Sequence, residues 1–276
     1  MAIHAHPDDE SSKGAGTVAK YAAAGVRCVL VTATGGEAGE VLNPALDTPE
    51  VHAQLAELRR EELYEAAKII GYDEVIELGY RDSGMPDTEA NAHPEAFVNA
   101  DLEDVTARLV RLVRHYRPEV ILGYDDHERY PHPDHLRVHD LSIELFTAAA
   151  DQNRFPDAGE AWPVPRVVAP VFTVKRLRAL HDAAVARGLE SPFERWMESL
   201  DGATDDGKDL VHVNVAEWLE VGRDALRAHR TQVDPDGFWF KLPLEMVADV
   251  YPYEDFEVLC ERVPMKVDSG DLFTGL

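Results

Sequence analysis

The sequence predicts an α/β fold: a Rossmann-like, mostly parallel sheet with helices on both faces and a C-terminal α+β extension. Three observations carry this expectation. Short apolar runs alternate with amphipathic helical patterns through the first 150 residues, which implies βαβ units with right-handed crossovers. The run 27–34 is nearly continuous in β-branched and apolar residues, as a strand covered on both faces requires. Glycines close the helical patterns at Gly25 and Gly71.

Taken in order, residues 2–6 read as a short strand. Residues 11–24 read as a helix with Ala15, Val18, Ala19 and Ala22 on one face, stopped by Gly25. The second strand is 27–34. A helix over 50–70 turns Leu55, Leu58, Leu63, Ala67 and Ile70 inward and ends at Gly71. Residues 75–78 form the third strand. The clearest helix is 101–117, where Leu102, Val105, Leu109, Leu112, Val113 and Tyr116 make one stripe and Asp101 is placed to cap. A strand at 120–123 and a helix at 134–149 complete the core, residues 1–150.

Beyond it the pattern loosens. Pro156, Pro163, Pro165 and Pro170 punctuate a linker and a strand at 167–174. A helix at 175–187, a polar loop at 201–209, a strand at 210–213 and a helix at 216–229 follow. Residues 151–276 are expected to pack on the core and complete the substrate site, either as an extension or as part of one single domain.

Composition narrows the function. Of 276 residues, 45% are hydrophobic and 29% charged, as in a folded globular protein. Lys and Arg number 27 against 52 Asp and Glu, a net charge of −25, which repels nucleic acid and anionic membrane as partners. No apolar run approaches the roughly 18 residues of a transmembrane helix. No basic segment followed by an apolar stretch marks a signal peptide, so a cytoplasmic protein is expected. Cys28 and Cys260 are read as two buried thiols, not a disulfide. With no CxxC, any metal must rely on histidine and carboxylate.

Those residue types are concentrated in two places. His4-Ala5-His6-Pro7-Asp8-Asp9-Glu10 sets three acids against two histidines, and His132-Pro133-Asp134-His135 follows about 120 residues later. The first follows the strand that ends near Ala5 and the second the strand that ends near Gly123, at the carboxyl edge where α/β sheets gather their functional residues. A tripodal metal site can be drawn from His6, Asp8 or Asp9, and His132 or His135. The acids at 8–10 would also cap the following helix, but three acids and two histidines exceed what a cap needs. A hydrolase requires in addition a base for water and a donor for the developing oxyanion, which the remaining carboxylate and histidine can supply.

The other histidines have simpler readings. His135 and His139 share the i,i+4 spacing of zinc proteases, but that motif needs Glu where this chain has Leu136, so His139 is a helix-face or supporting residue. His127 reads as loop surface, and His52, His93, His115, His181 and His212 have no partner cluster. His229 lies at a helix end, where the dipole alone favours imidazolium. The glycine-rich run 34–40 lacks GxGxxG and precedes a long loop, so it reads as a substrate-facing loop carrying Glu37. Asp82, in Arg81-Asp82-Ser83-Gly84, would accept hydrogen bonds from paired sugar hydroxyls.

The two His/Asp clusters resemble the paired signatures of the PIG-L/LmbE family of zinc-dependent N-acetylglucosamine deacetylases. Further stretches at 4–14, 34–37, 39–45, 82–84, 130–135, 154–160 and 226–235 resemble one branch, the mycothiol S-conjugate amidases. The resemblance implies that His6, Asp9 and His135 bind one zinc per chain, with iron(II) the alternative where availability reverses affinity. It implies Asp8 as general base, His132 as electrostatic stabiliser of the tetrahedral intermediate, Asp134 as the residue orienting His132, and Tyr130 as a mobile tyrosine polarising the carbonyl. Lys13 matches a lysine that separates the amidases from the sister deacetylases, placed to reach the thiol-conjugate half of the substrate. The activity implied is hydrolysis of the cysteinyl–glucosamine amide of a small sugar–thiol conjugate, releasing a mercapturic acid. The alternatives are deacetylation of N-acetylglucosaminyl-inositol, or cleavage of a thiol-conjugated antibiotic intermediate.

Overall fold

The computed structural model describes residues 1–126 and 130–276, so the expectation for His127 lies outside the described residues. The elements run β1 (Ala2–His4), α1 (Asp9–Ser12), α2 (Ala15–Ala23), β2 (Val29–Thr34), α3 (Pro49–Ala53), α4 (Leu55–Ile70), β3 (Glu74–Tyr80), α5 (Leu102–Tyr116), β4 (Val120–Leu122) and α6 (Pro133–Ala148). They continue with β5 (Arg166–Val171), α7 (Val174–Ala186), α8 (Glu194–Met197), β6 (Leu210–Asn214), α9 (Leu219–Ala228), α10 (Leu244–Val250) and β7 (Tyr253–Glu261).

All seven strands form one sheet in the order β3-β2-β1-β4-β5-β7-β6. The first five are parallel, as expected, and β7 runs antiparallel to both of its neighbours. Residues beyond 150 therefore add three strands to the sheet begun by the first half. The chain passes from β1 to β2 on one side and places β4 on the other, so the order reverses at β1. In such sheets the crevice outside the carboxyl ends at the reversal is the usual ligand site.

Alternation along the strands supplies both cores. Leu30 joins Leu63, Ile70, Ala225 and Phe256 under α2, α4 and α9. Its neighbour Val31 joins Ile3, Leu109, Ile121, Leu141 and Leu145 under α5 and α6. A third cluster, including Leu177, Phe193, Met246 and Tyr251, ties α7 to α10.

Local chemistry sets the boundaries. Asp101 caps α5 by accepting from the Asp104 N–H at 3.0 Å, as predicted. The helix expected over 11–24 is instead split, because Gly14 takes φ +93° and turns the chain between α1 and α2. A side chain there would be strained and would meet Phe256 at 3.4 Å. The helix expected over 50–70 is interrupted at Gln54. The strand expected to reach 174 ends at Val171, because Thr173 caps α7 through the Arg176 N–H. Cys28 and Cys260 are unbonded thiols, the second only partly buried, and burial pushes both above the ordinary thiol range.

Candidate active site

β1 and β4 deliver the two clusters to the same place. The chain leaves β1 at His4, turns at Pro7 and enters α1 at Asp9, while β4 is followed by a loop that enters α6 at Pro133. His132 caps α6, its Nδ1 accepting the Asp134 N–H at 3.2 Å, with Pro133 at the first helical position.

His6 Nδ1, Asp9 Oδ2 and His135 Nε2 form a nearly equilateral triangle. The edges are 3.2 Å between the two imidazoles, 3.4 Å from His6 to Asp9 and 3.3 Å from His135 to Asp9. Ligands at the roughly 2.05 Å typical of zinc in a tetrahedral site stand about 3.3 Å apart. The three atoms are thus spaced as three ligands of one such ion would be, and the ion would keep a further position for water or substrate. The donor set of two imidazoles and a carboxylate suits zinc and iron(II) alike.

The other nitrogen of His6 supports this fit. Nε2 lies 3.2 Å from Asp134 Oδ2 and 3.4 Å from Asp82 Oδ1. With Nε2 donating to these carboxylates, loss of the Nδ1 proton would leave a lone pair facing Asp9 and His135, the arrangement in which a carboxylate backs a ligating histidine. His6 also belongs to two compact donor groups, one with His132 and His135 and one with Asp82 and Asp134.

The electrostatics follow from burial and close packing. Burial alone would depress His6, but hydrogen bonds to Asp134, Asp82 and Asp9 hold it well above the ordinary imidazole value. Burial opposes ionisation of Asp9 too, yet His135 and Lys13 keep its pKa well below the usual carboxylate range. His135 is pushed down to about 3 by burial, against the opposing pull of Asp9. His132 is also lowered by burial, and by the charge on His6.

Asp8, the residue before Asp9, holds an unusual backbone state, φ +108°. Burial raises its pKa against the opposing charge of Arg59, whose Nη2 lies 3.0 Å from Asp8 Oδ2. A carboxylate raised in this way is a better proton acceptor than a free one.

Four expectations meet a different geometry. The Asp134 carboxylate accepts from Ser83 N–H at 3.0 Å and engages His6; only its backbone N–H touches His132. Its carboxylate thus faces His6 and not His132. Lys13 does not extend toward open space: its Nζ lies 2.5 Å from Asp9 Oδ1 and 5.3 Å from the centre of the Tyr124 ring. Asp82, only 3% exposed, is occupied internally, accepting Ala38 N–H and Gly84 N–H at 3.2 and 2.8 Å. Glu37 accepts the Asp82 N–H at 3.0 Å, so it braces Asp82 from the neighbouring loop. Tyr130, in contrast, is exposed at the rim, its ring 5.6 Å from that of His135 and 6.2 Å from that of His132.

Three polar residues near the site, Arg59, Glu62 and Tyr124, have no place in the sequence reading, and His229 has only part of its setting there. Arg59 and Glu62 are buried on the inner face of α4. Their signal was present, since both fall among the apolar positions of that helix, where charge is costly unless paired. Tyr124 is fully buried and its hydroxyl binds the Ala5 N–H and His4 Nδ1 at 3.0 and 3.1 Å. His229 does close a helix, α9, as expected, but it is fully buried there, its Nε2 2.6 Å from Glu10 Oε1. No local pattern announces a contact between residues 219 positions apart.

The family described as PIG-L, GlcNAc-PI de-N-acetylase, matches residues 1–146. A mycothiol S-conjugate amidase of Streptomyces coelicolor is 41% identical over 283 residues, covering 100% of this chain and 96% of the relative. A 1D-myo-inositol 2-acetamido-2-deoxy-alpha-D-glucopyranoside deacetylase of Geodermatophilus obscurus is 38% identical, covering 100% and 97%. Among solved structures, the N,N'-diacetylchitobiose deacetylase of Pyrococcus horikoshii superposes with a TM-score of 0.61 at 21% identity, covering 94% of this chain and 82% of the other. The 4-carboxy-2-hydroxymuconate hydratase of Pseudomonas putida reaches 0.64 at 18%, covering 96% and 97%. At such identities the superpositions speak to the fold alone, which hosts more than one chemistry.

Proposed function

Since the chain belongs to the PIG-L family and is a hydrolase of amide bonds, we propose that it cleaves the cysteinyl–glucosamine amide of mycothiol S-conjugates, yielding a mercapturic acid and glucosaminyl-inositol. The observation that carries the reading is the triangle of His6 Nδ1, Asp9 Oδ2 and His135 Nε2, with Asp8, the residue before Asp9, interacting electrostatically with both His6 and Asp9. Full-length similarity to the Streptomyces coelicolor amidase supports the substrate.

His6, Asp9 and His135 would hold the metal, zinc by the fit of the edges and iron(II) by the same donors. When bound, the cation polarises the amide carbonyl and acidifies water. Asp8 takes the proton from the attacking water, its carboxylate steadied by Arg59. His132, one helical turn from His135, and Tyr130 at the rim supply donors to the developing oxyanion. The proton collected by Asp8 then passes to the departing glucosamine nitrogen, which leaves as an amine.

Deacetylation of N-acetylglucosaminyl-inositol is the second reading. It is favoured by the 38% identity to the Geodermatophilus obscurus deacetylase and by Lys13, whose ammonium is engaged with Asp9 rather than free for a conjugate. The deciding experiment compares kcat/KM of the metal-loaded protein on a bimane conjugate of mycothiol and on the acetylated sugar. The conjugate is expected to be the better substrate; the reverse order overturns the amidase assignment in favour of the deacetylase.

A further inference from the structure

Asp8 holds a backbone conformation that L-residues with a side chain seldom adopt, so something in the surroundings must impose it. The contacts identify what does. Glu10 Oε2 accepts the Asp8 N–H at 2.9 Å, folding the start of α1 back on the residue before it. The other oxygen of Glu10 accepts from His229 Nε2 at 2.6 Å and from Ser11 Oγ at 2.5 Å. Both Glu10 and His229 are fully buried. His229 Nδ1 has no hydrogen-bond partner among the described residues, so the polar commitment of the ring is to Glu10.

His229 is itself firmly seated. It closes α9, where its N–H donates to Leu226 O at 3.1 Å. Two residues on, Thr231 donates through its N–H and its hydroxyl to buried Glu62 on α4, at 3.0 and 2.7 Å. The same helix sends Arg59 to the Asp8 carboxylate. Asp8 is thus gripped twice: its side chain by Arg59, its backbone by Glu10 backed by His229.

We propose that His229 is a positioning residue for the hydrolytic base: acting through Glu10, it locks the Asp8 backbone in the conformation that aims its carboxylate. This rests on the reading of Asp8 as base. No part of it requires His229 to touch substrate, and it gives the second half of the chain a role in the catalytic geometry of the first.

The test uses the full chain loaded with zinc and the variants His229→Leu and His229→Gln, the second keeping an N–H donor near the Nε2 position. Three quantities are read: kcat and KM on the amide substrate, zinc per chain, and hydrogen exchange of the peptide covering residues 6–12. His229→Leu is expected to lower kcat by about 10- to 100-fold, the range for residues that orient a metal-site group. KM and zinc content should hold, and exchange should rise at 6–12 but not in α6. His229→Gln should recover most of both effects. If His229→Leu does not fold, His229→Asn, whose shorter amide stops short of Glu10, replaces it. Unchanged exchange and kcat in the broken variants overturn the proposal, as does equal impairment by Leu and Gln, which would point to ring volume and not the hydrogen bond. A wild-type protein inactive on both amides would sink the functional reading, while the exchange data would still decide the clamp.

Discussion

Arg59 Nη2 lies 3.0 Å from Asp8 Oδ2, bringing a guanidinium that is 3% exposed against the proposed base. The same nitrogen donates to Pro7 O at 2.5 Å, and Nη1 donates to Gly36 O. One side chain from α4 therefore ties together the loops that follow β1 and β2. A planar fork can do this and a flexible ammonium cannot.

Arg59→Lys should keep the fold and lose about 10- to 100-fold in kcat, because one charge cannot replace donors aimed at three acceptors. Arg59→Met should also unfold earlier in urea, by about 1–3 kcal/mol, since two loop carbonyls lose their partner. Wild-type kcat in Arg59→Lys would show that the fork does not matter.

The two neighbouring aspartates should separate cleanly. Asp8→Ala is expected to retain close to a full complement of zinc by elemental analysis while turnover falls about 10²- to 10⁴-fold, the usual contribution of a general base. Asp9→Ala and His135→Ala should lose the metal itself, and chelation of the wild-type protein should reproduce their inactivity, with re-addition of zinc restoring it. Metal loss in Asp8→Ala with retention in Asp9→Ala would reverse the assignment of the two residues.

The His229–Glu10 pair predicts a pH dependence of stability. Burial disfavours the imidazolium, but Glu10 and the nearby charge of Asp8 outweigh it and the opposing charge of Arg59, so the folded pKa is raised. A raised histidine contributes stability fully below its unfolded pKa, about 6.5, and loses it as pH rises through the folded value. The difference in urea midpoint between wild type and His229→Gln should be largest on the acid side of that window and shrink above it. A difference that grows with pH would contradict the ion pair.

Much of the fold was legible because its signals are local. The β-branched run of β2, the stripe of α5 from Val105 to Val113 with Asp101 as cap, and the glycine after α4 all report structure within a few residues, although Leu102, read into the same stripe, is exposed. The two His/Asp motifs were legible for the same reason, as each is contiguous and each follows a strand. What escaped depends on tertiary pairing. β7 carries Glu254, Asp255 and Glu257 through an interior strand, which hides its period; Asp255 is buried only because Thr173, His212 and Tyr251 satisfy it. The side chain of Asp134 could not be aimed from sequence, since its partners Ser83 and His6 lie on other loops. Arg59 and His229 act across 51 and 219 positions, to Asp8 and Glu10, beyond the reach of any spacing rule.

The glycine-rich loop after β2 yields a last prediction. Read from sequence it faces substrate; in the structure it also makes room for Arg59. Gly36 has φ +68°, and a Cβ there would run into the Arg59 guanidinium. Gly36→Ala therefore meets two penalties, a left-handed backbone worth roughly 1–2 kcal/mol and displacement of the fork from Asp8. Stability should fall by about that amount, and kcat should drop to the level of Arg59→Lys. Because both substitutions break the same contact, the double variant should lose little more activity than either single one, a coupling expected of residues that share a partner. Full additivity of the two losses in kcat would mean that Gly36 acts on substrate directly and that its contact with Arg59 is incidental.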